Sequence, residues 1–268
     1  MMSTLTLALA QLRVTPGDKE SNLERALETI HSCIDKEVDY VLFPEQFLTG
    51  YFVDNRIREL AEPVDGPSIH TISQAAKKAG IGVIFGFPER EGERIYNSAA
   101  FIEKTGECLG VYRKTHLFGP EVEVFTQGEA CPIFPIAQGN IGLMMTFDMA
   151  FPEVSRLYAL QGAHVVMVLN AHIVPYQPYQ EIFLRARALE NQFFIAAVNK
   201  VGLEKNTLFF GESTIVSPDG VHLYKAGNDE EIGVITIDLG DVRAFRETKP
   251  MKYMEKRRQE FYQRFSQF

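Results

Sequence analysis

The stretch Gly142-Leu143-Met144-Met145-Thr146-Phe147-Asp148-Met149-Ala150-Phe151-Pro152-Glu153 decides how this chain is read. Its apolar start predicts a buried strand over Ile141–Thr146. Proline is tolerated in the first turn of a helix, so a helix opens at Pro152. A strand that runs into a helix through a tight turn exposes a side chain at its end and points backbone N–H groups toward it. Thr146 occupies that point. Taken alone, a threonine there is an ordinary helix cap or turn former.

Outward from this turn, strand-like and helix-like segments alternate along the whole chain. Upstream, Leu5–Leu12, Tyr40–Phe43 and Ile81–Phe87 read as strands. Helices are expected from about Lys19, with Ser21 and Glu24 as a capping box, and over Ser68–Ala79. Ser98–Glu103 and Leu109–Arg113 flank a turn and predict a hairpin. Downstream, His164–Leu169, Phe194–Asn199, Ser213–Val216, Val221–Tyr224 and Val234–Ile237 read as strands. Tyr179–Gln192 reads as a helix, and a last helix is expected from about Tyr253 to Phe265. Strands this apolar need cover on both faces. A layered α/β fold follows, with two facing sheets and helices outside, formed by residues 1–268 as a single domain with a helical tail over about 241–268.

Two further strand ends carry groups suited to chemistry. Phe43-Pro44-Glu45-Gln46-Phe47 puts a carboxylate at the end of an apolar strand, held out of water and so usable as a base. Tyr112-Arg113-Lys114-Thr115-His116-Leu117-Phe118 opens a loop with a lysine able to stabilise charge on a reacting oxygen. Individually, the glutamate is more often a cap or salt-bridge partner, and the lysine part of a surface cluster.

In this order and context the three segments resemble the nitrilase, or carbon–nitrogen hydrolase, superfamily. That family is marked by a glutamate at an F-P-E-type strand end, a lysine in a K-x-H-L-type loop and a cysteine in a C-Y-D-x-x-F-P-E-type elbow. Glu45, Lys114 and Phe147–Glu153 match. Gly162-Ala163, Arg185–Asn191, Ser213, Ser217–Gly220 and Arg257-Arg258 extend the likeness over nearly the whole chain. The resemblance implies a four-layer αββα sandwich that often pairs into a dimer. It implies Glu45 as general base, Lys114 as a holder of the oxyanion and the Phe147 backbone N–H as its second donor. Glu121, four residues before Phe125, matches a further family glutamate that positions base or substrate. Glu123 competes but lacks that spacing. A small amide, nitrile or N-carbamoyl substrate, an acyl-enzyme and no metal or organic cofactor are implied, with amidase preferred. Ala150 stands where many relatives have arginine, and Tyr51 and His172 are candidate substrate contacts.

The chain departs from the family at the nucleophile. Position 146 is threonine, and Cys33, Cys108 and Cys131 do not fall in register to replace a cysteine there. A thiol titrates near pH ~8.5, and a nearby ammonium lowers that further. An aliphatic hydroxyl is a far weaker acid, and threonine nucleophiles usually rely on their own N-terminal amine, which an internal residue lacks. Impaired amidase activity is the leading expectation. Three origins are open: an engineered inactivation, a natural threonine hydrolase, or a catalytically silent protein that binds a small ligand or partner.

Composition sets outer bounds. A net charge of −8 argues against general nucleic-acid binding. No apolar run is long enough to span a bilayer, and no signal peptide is evident at the N-terminus, so a cytoplasmic location is expected. Three widely spaced cysteines suggest neither a disulfide framework nor a zinc site. From Asp241 to Phe268 the chain carries eight Lys/Arg and four Asp/Glu. A solvated helix face accounts for this; a tail packed on an acidic neighbouring subunit is the sharper alternative. A homodimer or larger homo-oligomer is expected, with the helices near Pro152–Gln161 and Tyr179–Gln192 in contact.

Overall fold

A computed structural model describes residues 4–248 and 250–264. The strands of the N-terminal half are β1 (Thr4–Gln11), β2 (Tyr40–Leu42), β3 (Gly82–Glu91), β4 (Arg94–Ile102) and β5 (Cys108–Arg113). There follow β6 (Ile133–Pro135), β7 (Asn140–Met145), β8 (Val165–Asn170) and β9 (Phe194–Asn199). The last are β10 (Val201–Glu204), β11 (Thr207–Phe210), β12 (Thr214–Val216), β13 (His222–Lys225) and β14 (Glu231–Asp238). The helices are α1 (Lys19–Ser32), α2 (Arg56–Leu60), α3 (Pro67–Ala79), α4 (Pro152–Leu160), α5 (Gln177–Asn191), α6 (Gly240–Thr248) and α7 (Gln259–Gln263).

Two six-stranded sheets form, in the orders β14-β1-β2-β3-β4-β5 and β13-β12-β9-β8-β7-β6. Alternate residues on each strand enter different cores, because successive side chains point to opposite faces. On β1, Leu7 and Leu9 join Leu143, Met145, Met167 and Ala196 between the sheets. Ala8 and Ala10 face outward instead, against Ala26 and Ile30 of α1 and Ile69 and Ile72 of α3. On the other side, Met144, Val166 and Val168 meet Val154 and Tyr158 of α4 and Leu184 and Ala188 of α5. The expected αββα sandwich is therefore present, and its central strands are covered on both faces, as their unbroken apolar runs require.

Three local expectations are corrected. Asp18, not Ser21, caps α1: its carboxylate accepts from the Ser21 backbone N–H at 3.0 Å. An aspartate beside the first turn is the stronger cap, and it leaves no capping box at Ser21. The strand before the elbow ends at Met145, and Thr146 opens a 3-10 turn over Thr146–Ala150. The tail helix expected from Tyr253 is shorter than that: after α6 ends before Pro250, the next helix among the described residues, α7, begins only at Gln259. The Gln192 side chain donates to the carbonyls of Phe245 in α6 and of Met251 after it, and so ties the tail to the end of α5. Phe265, the expected end of that helix, lies outside the described residues.

Candidate active site

Three segments far apart in sequence end side by side. The Glu45 turn follows β2 and lies directly on β3. Gly86 makes this approach possible, since a Cβ there would sit 2.5 Å from Gln46 N and Pro44 O and 2.7 Å from Glu45 Cα. Lys114 continues the β4–β5 pairing, its backbone N–H donating to Asn97 O at 2.9 Å. The Thr146 turn is fixed by the buried carboxylate of Asp148. Asp148 Oδ2 accepts from Tyr112 OH at 2.7 Å and Met145 N at 3.0 Å. Its Oδ1 accepts from Thr115 Oγ1 and His116 N, both at 2.9 Å. One side chain thus ties the elbow after β7 to the lysine loop after β5.

The polar centre is compact. Lys114 Nζ lies 2.8 Å from Glu45 Oε1 and 2.9 Å from both carboxylate oxygens of Glu121. Asn97 Nδ2 also donates to Glu45 Oε1, at 2.6 Å. Thr146 Oγ1 donates to the other oxygen, Glu45 Oε2, at 2.5 Å, and accepts from Ala171 N at 2.6 Å. Glu45 and Glu121 are fully buried and Lys114 nearly so. Burial works against the Lys114 charge, but the adjoining carboxylates of Glu45 and Glu121 outweigh it and hold the ammonium above its ordinary range. Burial pushes the Glu121 carboxyl up, and the charge of Glu45 adds to this against the pull of Lys114.

A cavity of about 530 Å³ opens above this centre, and Glu45, Lys114, Thr146, Phe147, Tyr51 and His172 all line it. Tyr51 OH donates to Glu121 Oε1 at 2.9 Å. Glu121 itself stands behind that wall, its Oε2 held by Phe118 N at 2.7 Å. Glu123, the competing glutamate, is exposed. His172 is anchored by its backbone: its N donates to Asn199 Oδ1 at 3.0 Å and its carbonyl accepts from Asn199 Nδ2 at 3.1 Å. Burial lowers the imidazole to about 4. No cysteine lines the cavity. Among the described residues, no group of three or more His, Cys, Asp or Glu is placed to hold a metal, and no helix is long and apolar enough to cross a membrane.

Sequence reading missed Asn97, whose signal was a lone amide within the apolar strand Ile95–Phe101. It also missed the β10–β11 hairpin, which brings Glu204, Lys205, Thr207 and Phe209 to the cavity. Glu204 accepts from Tyr51 N at 2.8 Å and pairs with buried Lys200 at 2.8 Å, so this hairpin braces the Tyr51 wall.

A family model described as Carbon-nitrogen hydrolase matches residues 6–247. A probable nitrilase of Schizosaccharomyces pombe is 36% identical, over 96% of this chain and 97% of its own. An (R)-stereoselective amidase of Pseudomonas sp. is 36% identical, over 95% of this chain and 92% of its own. A mutant of the amidase from Nesterenkonia sp. AN1, solved in complex with butyramide, superposes with a TM-score of 0.86 at 27% identity, covering 97% of each chain.

Proposed function

This chain belongs to the carbon–nitrogen hydrolase family, and from that premise we propose that it is an amidase for small amides or N-carbamoyl compounds, with Thr146 at the nucleophile position. The names of the Pseudomonas and Nesterenkonia proteins, and the butyramide bound to the latter, favour amide substrates over nitriles. The observation that carries the reading is the division of labour on Glu45. One of its oxygens faces the Thr146 hydroxyl at 2.5 Å and the other faces Lys114 Nζ at 2.8 Å.

In this reading Glu45 takes the nucleophile's proton as the new bond to the carbonyl carbon forms. Lys114 Nζ and the Phe147 N–H receive the negative charge that develops on the carbonyl oxygen. The C–N bond then breaks, and the proton on Glu45 leaves with the amine. Water attacks the acyl group, gives a proton to Glu45, and releases the acid as the nucleophile recovers its hydrogen. Glu121 and Tyr51 position the lysine and the base. The reaction as drawn needs only these side chains and water.

Threonine makes the first step hard. Glu45 can deprotonate a thiol at modest cost, but a hydroxyl is mismatched by several pK units, each worth about 1.4 kcal/mol. Slow turnover follows. A second reading, in which Thr146 is itself an efficient nucleophile, draws support from Ala171: its N–H points at Oγ1 from 2.6 Å and would stabilise an alkoxide. Incubating the protein with butyramide and with an N-carbamoyl amino acid, while measuring ammonia and intact mass, separates these readings. Trace ammonia without accumulated acyl-protein supports slow hydrolysis. Rapid acylation at Thr146 supports the second reading. Ligand binding with no chemistry, even after Thr146→Cys, leaves a silent binding protein.

A further inference from the structure

We propose that the acyl group taken by this cavity is neutral and apolar, an aromatic or branched aliphatic amide as opposed to the monoamide of a dicarboxylic acid; this rests on the amidase reading and names its substrate class. The argument begins with the cavity wall. Above the polar floor it is lined by Phe118, Phe147, Ile173, Tyr176, Phe183 and Phe209. Phe147 is held edge-on between Phe118 and Phe151, with ring centroids 5.0 and 5.2 Å away, so this side of the wall is a built aromatic surface. Its volume, about 530 Å³, has room for an acyl group carrying a ring.

The second observation concerns cations. Among the described residues lining the cavity, the only lysines or arginines are Lys114 and Lys205. Lys114 is already engaged by two carboxylates at 2.8 and 2.9 Å. Lys205 sits half-exposed at the mouth, over the Phe52 ring and 3.7 Å from Asp54. Lys200, close behind Phe209, is fully buried and paired with Glu204. His172 stays neutral near physiological pH, because burial lowers it to about 4. Below the mouth, where Lys205 sits and Asp54 is held by Arg56, a carboxylate on the acyl chain would leave water, find no free cation among the described lining residues, and lie beside Glu45 and Glu204. An unpaired charge in such a place is strongly disfavoured. A neutral ring would instead cover apolar wall and lose no hydrogen bond. Ala150, which also lines the cavity, adds neither charge nor bulk to that wall.

The test uses phenylacetamide and succinamate as probes. Titration calorimetry on the unaltered protein is expected to show phenylacetamide binding at least ~100-fold more tightly, about the discrimination a hydrophobic pocket makes against an added polar group. Ala150→Arg, which adds a cation to the wall, is expected to narrow that gap by about tenfold or more. Equal or tighter binding of succinamate, or binding of neither probe, overturns the inference. Hydrolysis is scored separately with Thr146→Cys. If phenylacetamide binds selectively but releases no ammonia from either form, the amidase reading fails while the cavity's preference stands. If Thr146→Cys hydrolyses succinamate with the higher kcat/KM, the amidase reading stands and this inference fails.

Discussion

Thr146 and Glu45 lie 101 residues apart in the chain, and the hydroxyl of the first donates to Oε2 of the second at 2.5 Å. The contact joins the two sheets of the sandwich, since Glu45 follows β2 and Thr146 follows β7. It places the group that would attack and the group that would take its proton within one hydrogen bond. What the geometry does not repair is the chemistry of the attacking atom.

Lys114 is bonded to two buried carboxylates, Glu45 and Glu121. Lys114→Met is expected to cost about 3–5 kcal/mol of stability, because it leaves Glu45 and Glu121 buried without a partner charge. Adding Glu121→Gln should cost less than the sum of the single changes, since the groups share one network. Urea unfolding of the two single variants and the double variant measures this. A loss below about 1 kcal/mol for Lys114→Met, the range of exposed ion pairs, would contradict the account.

His172 gives the site a pH dependence of known sign. Its folded value is lowered from 6.5 to about 4, with burial as the main cause. The unfolded chain therefore takes up this proton first, and the native state loses stability as pH falls from about 6.5 toward 4. The loss is at most about 3 kcal/mol by linkage. His172→Phe should flatten this limb relative to the parent when unfolding free energies are compared at pH 7 and pH 4.5. Parallel curves for the two proteins would show that His172 does not contribute.

Assembly is a further expectation. Leu157 and Leu160 of α4 and Ile182 of α5 are 48%, 51% and 63% exposed on the outer helical layer, where a monomer gains nothing from apolar side chains. We expect a symmetric homodimer in which α4 and α5 meet their own copies. Light scattering should give twice the chain mass, and Ile182→Glu should shift it toward the monomer. A monomer at every accessible concentration would refute the pairing.

Much of this was legible in the sequence. The central strands announce themselves because both of their faces are buried, so β8 and β9 are apolar up to their last residues, Asn170 and Asn199. Glu45, Lys114 and Thr146 are each weak signals at a strand end or just past one, and they became legible together through their resemblance to the nitrilase-superfamily motifs, as did Glu121 through the family spacing before Phe125. The β10–β11 hairpin was hidden for a physical reason. It turns Leu203 and Leu208 outward, 67% and 49% exposed, while Glu204 is buried, which reverses the pattern that marks a strand. Asn97 was hidden because its role depends on Glu45, which reaches it only through the pairing of β2, β3 and β4. The tail helix, expected from about Tyr253, begins only at Gln259; the tail is tied to the end of α5 by Gln192 contacts that no local pattern encodes.

The central claim is that an amidase site is assembled around the wrong nucleophile. The most direct measurement is ammonia release from butyramide and phenylacetamide by the parent, by Thr146→Cys and by Thr146→Cys with Glu45→Gln, each verified as folded by circular dichroism. The account predicts little or no release by the parent, since threonine and cysteine differ little in volume but by several pK units in acidity. It predicts a gain of at least about 100-fold for Thr146→Cys, within the range general-base catalysis supplies, and its loss when Glu45→Gln is added. A folded Thr146→Cys protein that is inert toward both amides, while the parent is acylated at Thr146, would contradict it.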